Sequence, residues 1–202
     1  MEYSIKPREH ELREAREAVK EALESCRHAL PKKEDLDIRL GWEGREDVVE
    51  EMGGANGNTW SATVITIGFN TGPSDWKEHL KRTTVHEYAH AYFFEKNDGI
   101  SDFVWQWILE EALAQNFADR YYPDAYSPWK DEFGREELAE RWEEIRETMS
   151  EEMDYDHELF FGGERLYRWT GYSLAYHLGQ KLLEDHELEE FPELKRSDVI
   201  EA

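Results

Sequence analysis

Apolar residues recur along this chain at two periods, and the period marks the elements. Between Glu9 and Leu30, residues Leu12, Ala15, Val19, Ala22, Leu23 and Cys26 fall at helical spacing and Pro31 follows, which predicts an amphipathic helix. Asp35 to Trp42 (D-L-D-I-R-L-G-W) alternates polar and apolar positions and reads as a strand. Glu51 to Asn58 (E-M-G-G-A-N-G-N) has the composition of a turn region. Thr59 to Asn70 (T-W-S-A-T-V-I-T-I-G-F-N) is rich in β-branched and aromatic residues and predicts the best strand of the chain. After the break T-G-P-S-D, Asp75 with Glu78 three residues on reads as a capping box for a helix from Trp76 to about Lys96.

The second half is helical in pattern. Asn97 to Asp102 is a loop, and F-V-W-Q-W-I-L-E-E-A-L-A-Q-N-F-A-D-R, from Phe103 to Arg120, predicts a largely apolar helix. Pro123 and Pro128 mark an irregular stretch. Arg135 to about Met153 predicts a charged helix with Leu138, Trp142, Ile145 and Met149 inside. Trp169 to Glu184 follows as another helix, and Asp198 to Ala202 as a last turn. The simplest organisation is a single α+β unit over 1–202. Its first part, 1–96, carries an N-terminal helix, a small sheet and the Trp76 helix; its second, 97–202, is mainly helical.

Composition narrows the function classes. The 202 residues suffice for an ordinary domain, and 8 Trp, 10 Tyr and 9 Phe supply a core despite 35% charged residues. A net charge of −23 argues against nucleic-acid and anionic-membrane partners, because phosphates would be repelled. Such acidity suits both a salt-rich cytoplasm and an ordinary Glu-rich protein. No apolar run reaches the roughly 20 residues of a membrane span. The opening M-E-Y-S-I-K-P-R-E-H-E-L has no apolar signal core, and the single Cys26 suits a reducing compartment, so the expected location is the cytoplasm.

Within the Trp76 helix stands His86-Glu87-Tyr88-Ala89-His90, an H-E-x-x-H pattern. Residues four apart lie on one helix face, so His86 and His90 can aim two imidazole nitrogens at one metal ion, with Glu87 beside them to take a proton from a water. Val85, Tyr88, Ala89, Ala91, Tyr92, Phe93 and Phe94 make the helix apolar on nearly all sides. Buried there, two imidazoles and a carboxylate need partners, and a metal supplies them. A catalytic zinc site has three protein ligands and one open position. The longer pattern H-E-x-x-H-x-x-G-x-x-H is excluded by Phe93 and Lys96. The third ligand is then a Glu on the next helix, where Glu110 and Glu111 both stand; periodicity does not choose between them.

H-E-Y-A-H followed by W-I-L-E-E-A-L-A-Q-N-F-A resembles the gluzincin signature, in which the Glu of E-[GA]-L-A is a metal ligand. The resemblance implies a zincin-like fold, a small and mostly antiparallel sheet on an active-site helix, a Zn2+ cofactor and Glu111 as third ligand. More narrowly, the chain resembles a largely uncharacterised family of predicted zinc-dependent proteases. The match runs through I-T-I-G-F-N, W-K-E-H-L-K-R-T-T-V-H-E-Y-A-H, E-A-L-A and W-T-G-Y-S-L-A-Y-H-L-G, over roughly the last three-quarters of the chain. Departures are Ala112 for the commoner Gly, Gln115 where an Asp often supports the first His, and Ala175 where the family usually has Gly.

The implied activity is peptide-bond hydrolysis with Glu87 as general base. The alternative is a non-hydrolytic metal-binding or regulatory module; the presence of a base with only three ligands speaks against it. An oxyanion donor is sought in G-Y-S-L-A-Y-H-L, where Tyr172, Tyr176 and His177 qualify and the resemblance favours Tyr172. A peptide or protein substrate is expected to add along Thr63 to Asn70 as an extra strand. The stretch Tyr121 to Gly163 either covers the cleft or packs as a helix with a solvated face. His10, His28, His79, His157 and His186 read as surface residues.

Overall fold

The computed structural model describes residues 7–99, 102–125, 127–152, 158–163 and 167–202. In chain order the elements begin with α1 (Glu9–Cys26), β1 (Asp37–Trp42), α2 (Glu46–Glu51), β2 (Ala55–Ser61), β3 (Val64–Phe69), α3 (Trp76–Lys96) and α4 (Val104–Tyr121). Then come α5 (Trp129–Glu132), α6 (Arg135–Thr148), α7 (Glu158–Phe161), α8 (Thr170–Leu182), a 3-10 turn (Leu188–Glu193) and α9 (Arg196–Glu201). The architecture is α+β, a three-stranded sheet followed by a helical C-terminal part. Among the described residues no helix is long and apolar enough to cross a membrane.

The stretch Thr59–Asn70 is not one strand. It folds back at Ala62 and Thr63, so β2 and β3 form a hairpin. The turn carries no Gly, Pro or Asn; Ser61 Oγ closes it by accepting from the Thr63 amide at 3.2 Å. β2 also extends back through Ala55–Asn58, where composition points to a turn, because pairing with β3 outweighs the poor strand preference of Gly and Asn. The strand order is β1-β3-β2, with β1–β3 parallel and β2–β3 antiparallel. The sheet is therefore mixed rather than mostly antiparallel. β3 is its central strand, so Thr63–Asn70 has both edges occupied and no room for a substrate strand; the free edges belong to β1 and β2.

Two apolar clusters meet on α3. Ile65, Ile67 and Phe69 of β3 pack with Ala15 and Val19 of α1 and with Trp76 and Leu80 of α3. Val85, Tyr88, Ala89, Tyr92 and Phe93, further along α3, pack with Ile108, Leu113 and Phe117 of α4 and with Leu174 and Leu178 of α8. This two-sided packing is why α3 is apolar on nearly all sides. The Asp75–Glu78 capping box does not form. Asp75 takes φ −107° and ψ 15°, its side chain makes no cap bond, and one of its carboxylate oxygens lies 3.3 Å from His79 Nε2. His79 itself is buried, not on the surface: the α2–β2 connection folds over it and Gly53 lies against its ring. His10 and His28 are exposed and His186 is half-buried; His157 lies outside the described residues.

Candidate metal centre

His86 and His90 stand one turn apart on α3, and Glu111 reaches them from α4. The Nε2 atoms of the two imidazoles are 3.0 Å apart. Glu111 Oε2 lies 3.7 Å from His86 Nε2, and Glu111 Oε1 lies 3.5 Å from His90 Nε2. Bonds of about 2.0–2.2 Å at tetrahedral angles place the ligand atoms of zinc about 3.3–3.6 Å from one another. The three donors span that range, and among the described residues they form the one His/Cys/Asp/Glu group of this kind. Two nitrogens and one carboxylate suit zinc, and three donors match the count of a catalytic site.

The packing of α4 on α3 gives the two neighbouring glutamates different places. Glu110 Oε1 lies 2.6 Å from the other ring nitrogen of His90, Nδ1, and accepts a hydrogen bond from its N–H. That bond fixes the tautomer and leaves the Nε2 lone pair facing Glu111 and His86. The two neighbouring glutamates thus meet His90 from opposite sides of its ring.

Burial lowers the His86 imidazole well below its ordinary value, with His90 and Arg82 adding to the effect. On His90 burial acts in the same direction but is outweighed by the carboxylates of Glu110, Glu111 and Glu87, so its pKa is raised. Burial raises the Glu111 carboxyl, and the negative charges of Glu110 and Glu87 push the same way. So many carboxylates in a dry place attract positive charge, which a divalent cation would supply.

Glu87 is buried beside this group. Its pKa is raised by burial, against the pull of His90 and of a hydrogen bond from Thr59. The Thr59 hydroxyl, on β2, lies 2.7 Å from Glu87 Oε2 and 3.0 Å from the Glu87 carbonyl oxygen. Two residues earlier on the same strand, Gly57 clears the space: a Cβ there would overlap the Glu87 side chain. Neither Thr59 nor Gly57 carries a sequence signal, since only the fold of the hairpin over α3 brings them to Glu87.

Tyr172, at the start of α8, is half-buried among the rings of Trp129, Phe160 and Trp169, with centroids 5.3–5.4 Å away. Burial pushes its phenol far up, and the carboxylates of Glu111 and Glu87 add to the shift, so the hydroxyl keeps its proton. Gly171 lets α8 start hard against α7, since a Cβ would meet the Leu159 carbonyl and the Phe160 ring at 2.9 Å. His177 turns instead to the Phe133 carbonyl at 3.3 Å, and Tyr176 lies beneath the Lys130 ammonium at 5.6 Å. Gln115 donates to the Tyr172 carbonyl at 3.1 Å and more weakly to Glu111 at 3.4 Å; His86 Nδ1 has no hydrogen-bond partner among the described residues. Of the stretch 121–163, α5 and α7 supply Trp129 and Phe160, the wall behind Tyr172.

A family model described as "Predicted Zn-dependent protease (DUF2268)" matches residues 15–201, and the chain belongs to that family. Comparison with curated proteins and with solved structures gives no match.

Proposed function

We propose that this member of the predicted zinc-dependent protease family hydrolyses peptide bonds, with His86, His90 and Glu111 as metal ligands and Glu87 as general base. The observation that carries the reading is the buried Glu87 carboxylate, held by the Thr59 hydroxyl at 2.7 Å beside a three-donor metal group. A purely structural site has no use for such a base. Zinc held there would lower the pKa of a bound water toward about 7 and polarise a carbonyl.

The chain's own residues have separate tasks. Glu87 takes a proton from the attacking water on one carboxylate oxygen and passes it to the leaving amine; Thr59 keeps the carboxylate aimed. Glu110 holds His90 in the tautomer that offers Nε2 to the ion. Tyr172, protonated at all ordinary pH values, donates to the oxygen on which negative charge develops. The substrate backbone pairs with the outer edge of β2, the free strand edge that runs past Glu87, in place of the central strand β3. The lone, buried Cys26 supports a reducing, cytoplasmic setting.

The test is metal content measured beside a peptide-cleavage screen of the parent and Glu87→Gln. The expected outcome is one zinc in both proteins and cleavage by the parent alone. Equal cleavage by both removes Glu87 as base. Stoichiometric zinc without cleavage in either, over a broad peptide library, favours the non-hydrolytic module.

A further inference from the structure

Besides His86 Nδ1 and Gln115 Oε1 at the metal centre, three buried polar atoms have no partner among the described residues: Arg82 Nε, Ser127 Oγ and Trp129 Nε1. The residues of these three are 5%, 1% and 8% exposed. All three line one cavity of about 20 Å³, between the α2–β2 connection, α3 and the start of α5. Met52, Ala55 and Pro128 give the cavity an apolar wall, and Thr83 and His79 complete its rim. A cavity needs about 10–15 Å³ to hold one water, so this one admits a single small occupant.

The donor set says what kind. Arg82 Nε–H and Trp129 Nε1–H only donate, and Ser127 can turn its hydroxyl proton inward. A water in their midst accepts from at most two of the three donors. An occupant that accepts and never donates satisfies all three. Charge points the same way. Arg82 pairs with Asp119 at 3.1 Å, but Asp119 is shared with Lys130 at 2.5 Å. Two cations on one carboxylate leave a positive charge in a nearly dry place, where an uncompensated charge is costly. The Glu111 carboxylate, the other acidic group that acts on Arg82, does not line the cavity and lies against the two imidazoles.

We propose that this cavity is a halide-binding site, filled by chloride in the cell and held by Arg82, Ser127 and Trp129. Arg82 precedes His86 by one helical turn, and Trp129 stacks on Tyr172 with ring centroids 5.4 Å apart. The site adjoins the metal centre without sharing a ligand with it, and it requires neither the metal nor peptidase activity.

The experiment compares the thermal stability of the full chain in sodium chloride, sodium bromide and sodium gluconate at equal ionic strength, with and without chelator. Gluconate is too large for the cavity. The expected result is a saturable rise in melting temperature in chloride and bromide over gluconate, as for any ligand that binds only the folded chain. Ser127→Ala should flatten the halide response, and Trp129→Phe should weaken it. A crystal soaked in bromide should show an anomalous peak between the three donors. Identical melting curves in the three salts, a halide response retained in Ser127→Ala, or bromide absent from the cavity would each overturn the proposal in favour of a bound water.

Discussion

Glu110 and His90 link the two helices of the metal centre, with Oε1 2.6 Å from Nδ1, while Glu111, the next residue in sequence, faces the Nε2 side of both imidazoles. Successive residues on a helix diverge by about 100°. One neighbour therefore joins the two imidazoles in the three-donor group and the other bonds the far side of the His90 ring. The two substitutions should differ in kind. Glu111→Ala is expected to abolish stoichiometric zinc. Glu110→Gln is expected to keep it at saturation and to weaken affinity by about 10–100-fold, as for outer partners of metal-bound histidines. Chelator competition on the two variants checks this; reversed effects would exchange their roles.

Tyr172→Phe removes one hydroxyl and leaves the ring among Trp129, Phe160 and Trp169. Metal affinity and stability should stay near the parent's. Turnover should fall by about a hundredfold, the usual cost of losing a donor at a developing oxyanion. Steady-state kinetics on any cleaved peptide decides the point. An unchanged kcat leaves the oxyanion to the metal alone.

Gly57→Ala tests the contact between strand and base. A methyl group would overlap Glu87, so either the strand or the carboxylate must shift. Overpacking of this kind costs about 1–3 kcal/mol of stability. Because Glu87 lies outside the three-donor group, zinc should still bind stoichiometrically. A displaced base should lower turnover on the order of a hundredfold. Denaturant melts, metal content and kinetics on the one variant separate these three effects.

Cys26 has no exposed surface, and burial pushes its thiol up to about 12. A raised value means the thiolate, the reactive form, is scarce at pH 8. The folded chain should give no colour with a thiol-exchange reagent at that pH, and one thiol should appear on unfolding in guanidinium. Rapid labelling of the native protein would show that the end of α1 opens readily.

The pairing of the two imidazoles was legible locally. A helix has one geometry, so H-E-x-x-H at 86–90 fixes two imidazoles on one face whatever surrounds them. The long apolar runs similarly marked α3 and α4 to within a residue of their ends. What remained open were relations between elements. How Glu110 and Glu111 meet the imidazoles depends on how α4 is rotated against α3, and both faces of α4 are apolar, so periodicity carries no rotation angle; the packing sets Glu111 toward the two Nε2 atoms and Glu110 toward His90 Nδ1. The turn at Ala62 and Thr63 has no turn-forming residues, because a serine hydroxyl and the pairing of β2 with β3 close it. The rank of β3 as central strand arises from β1 arriving in parallel on its far side, a long-range contact that no local pattern encodes. Thr59 and Gly57 meet Glu87 across 28 and 30 residues of chain, and only the folded hairpin makes them part of the site.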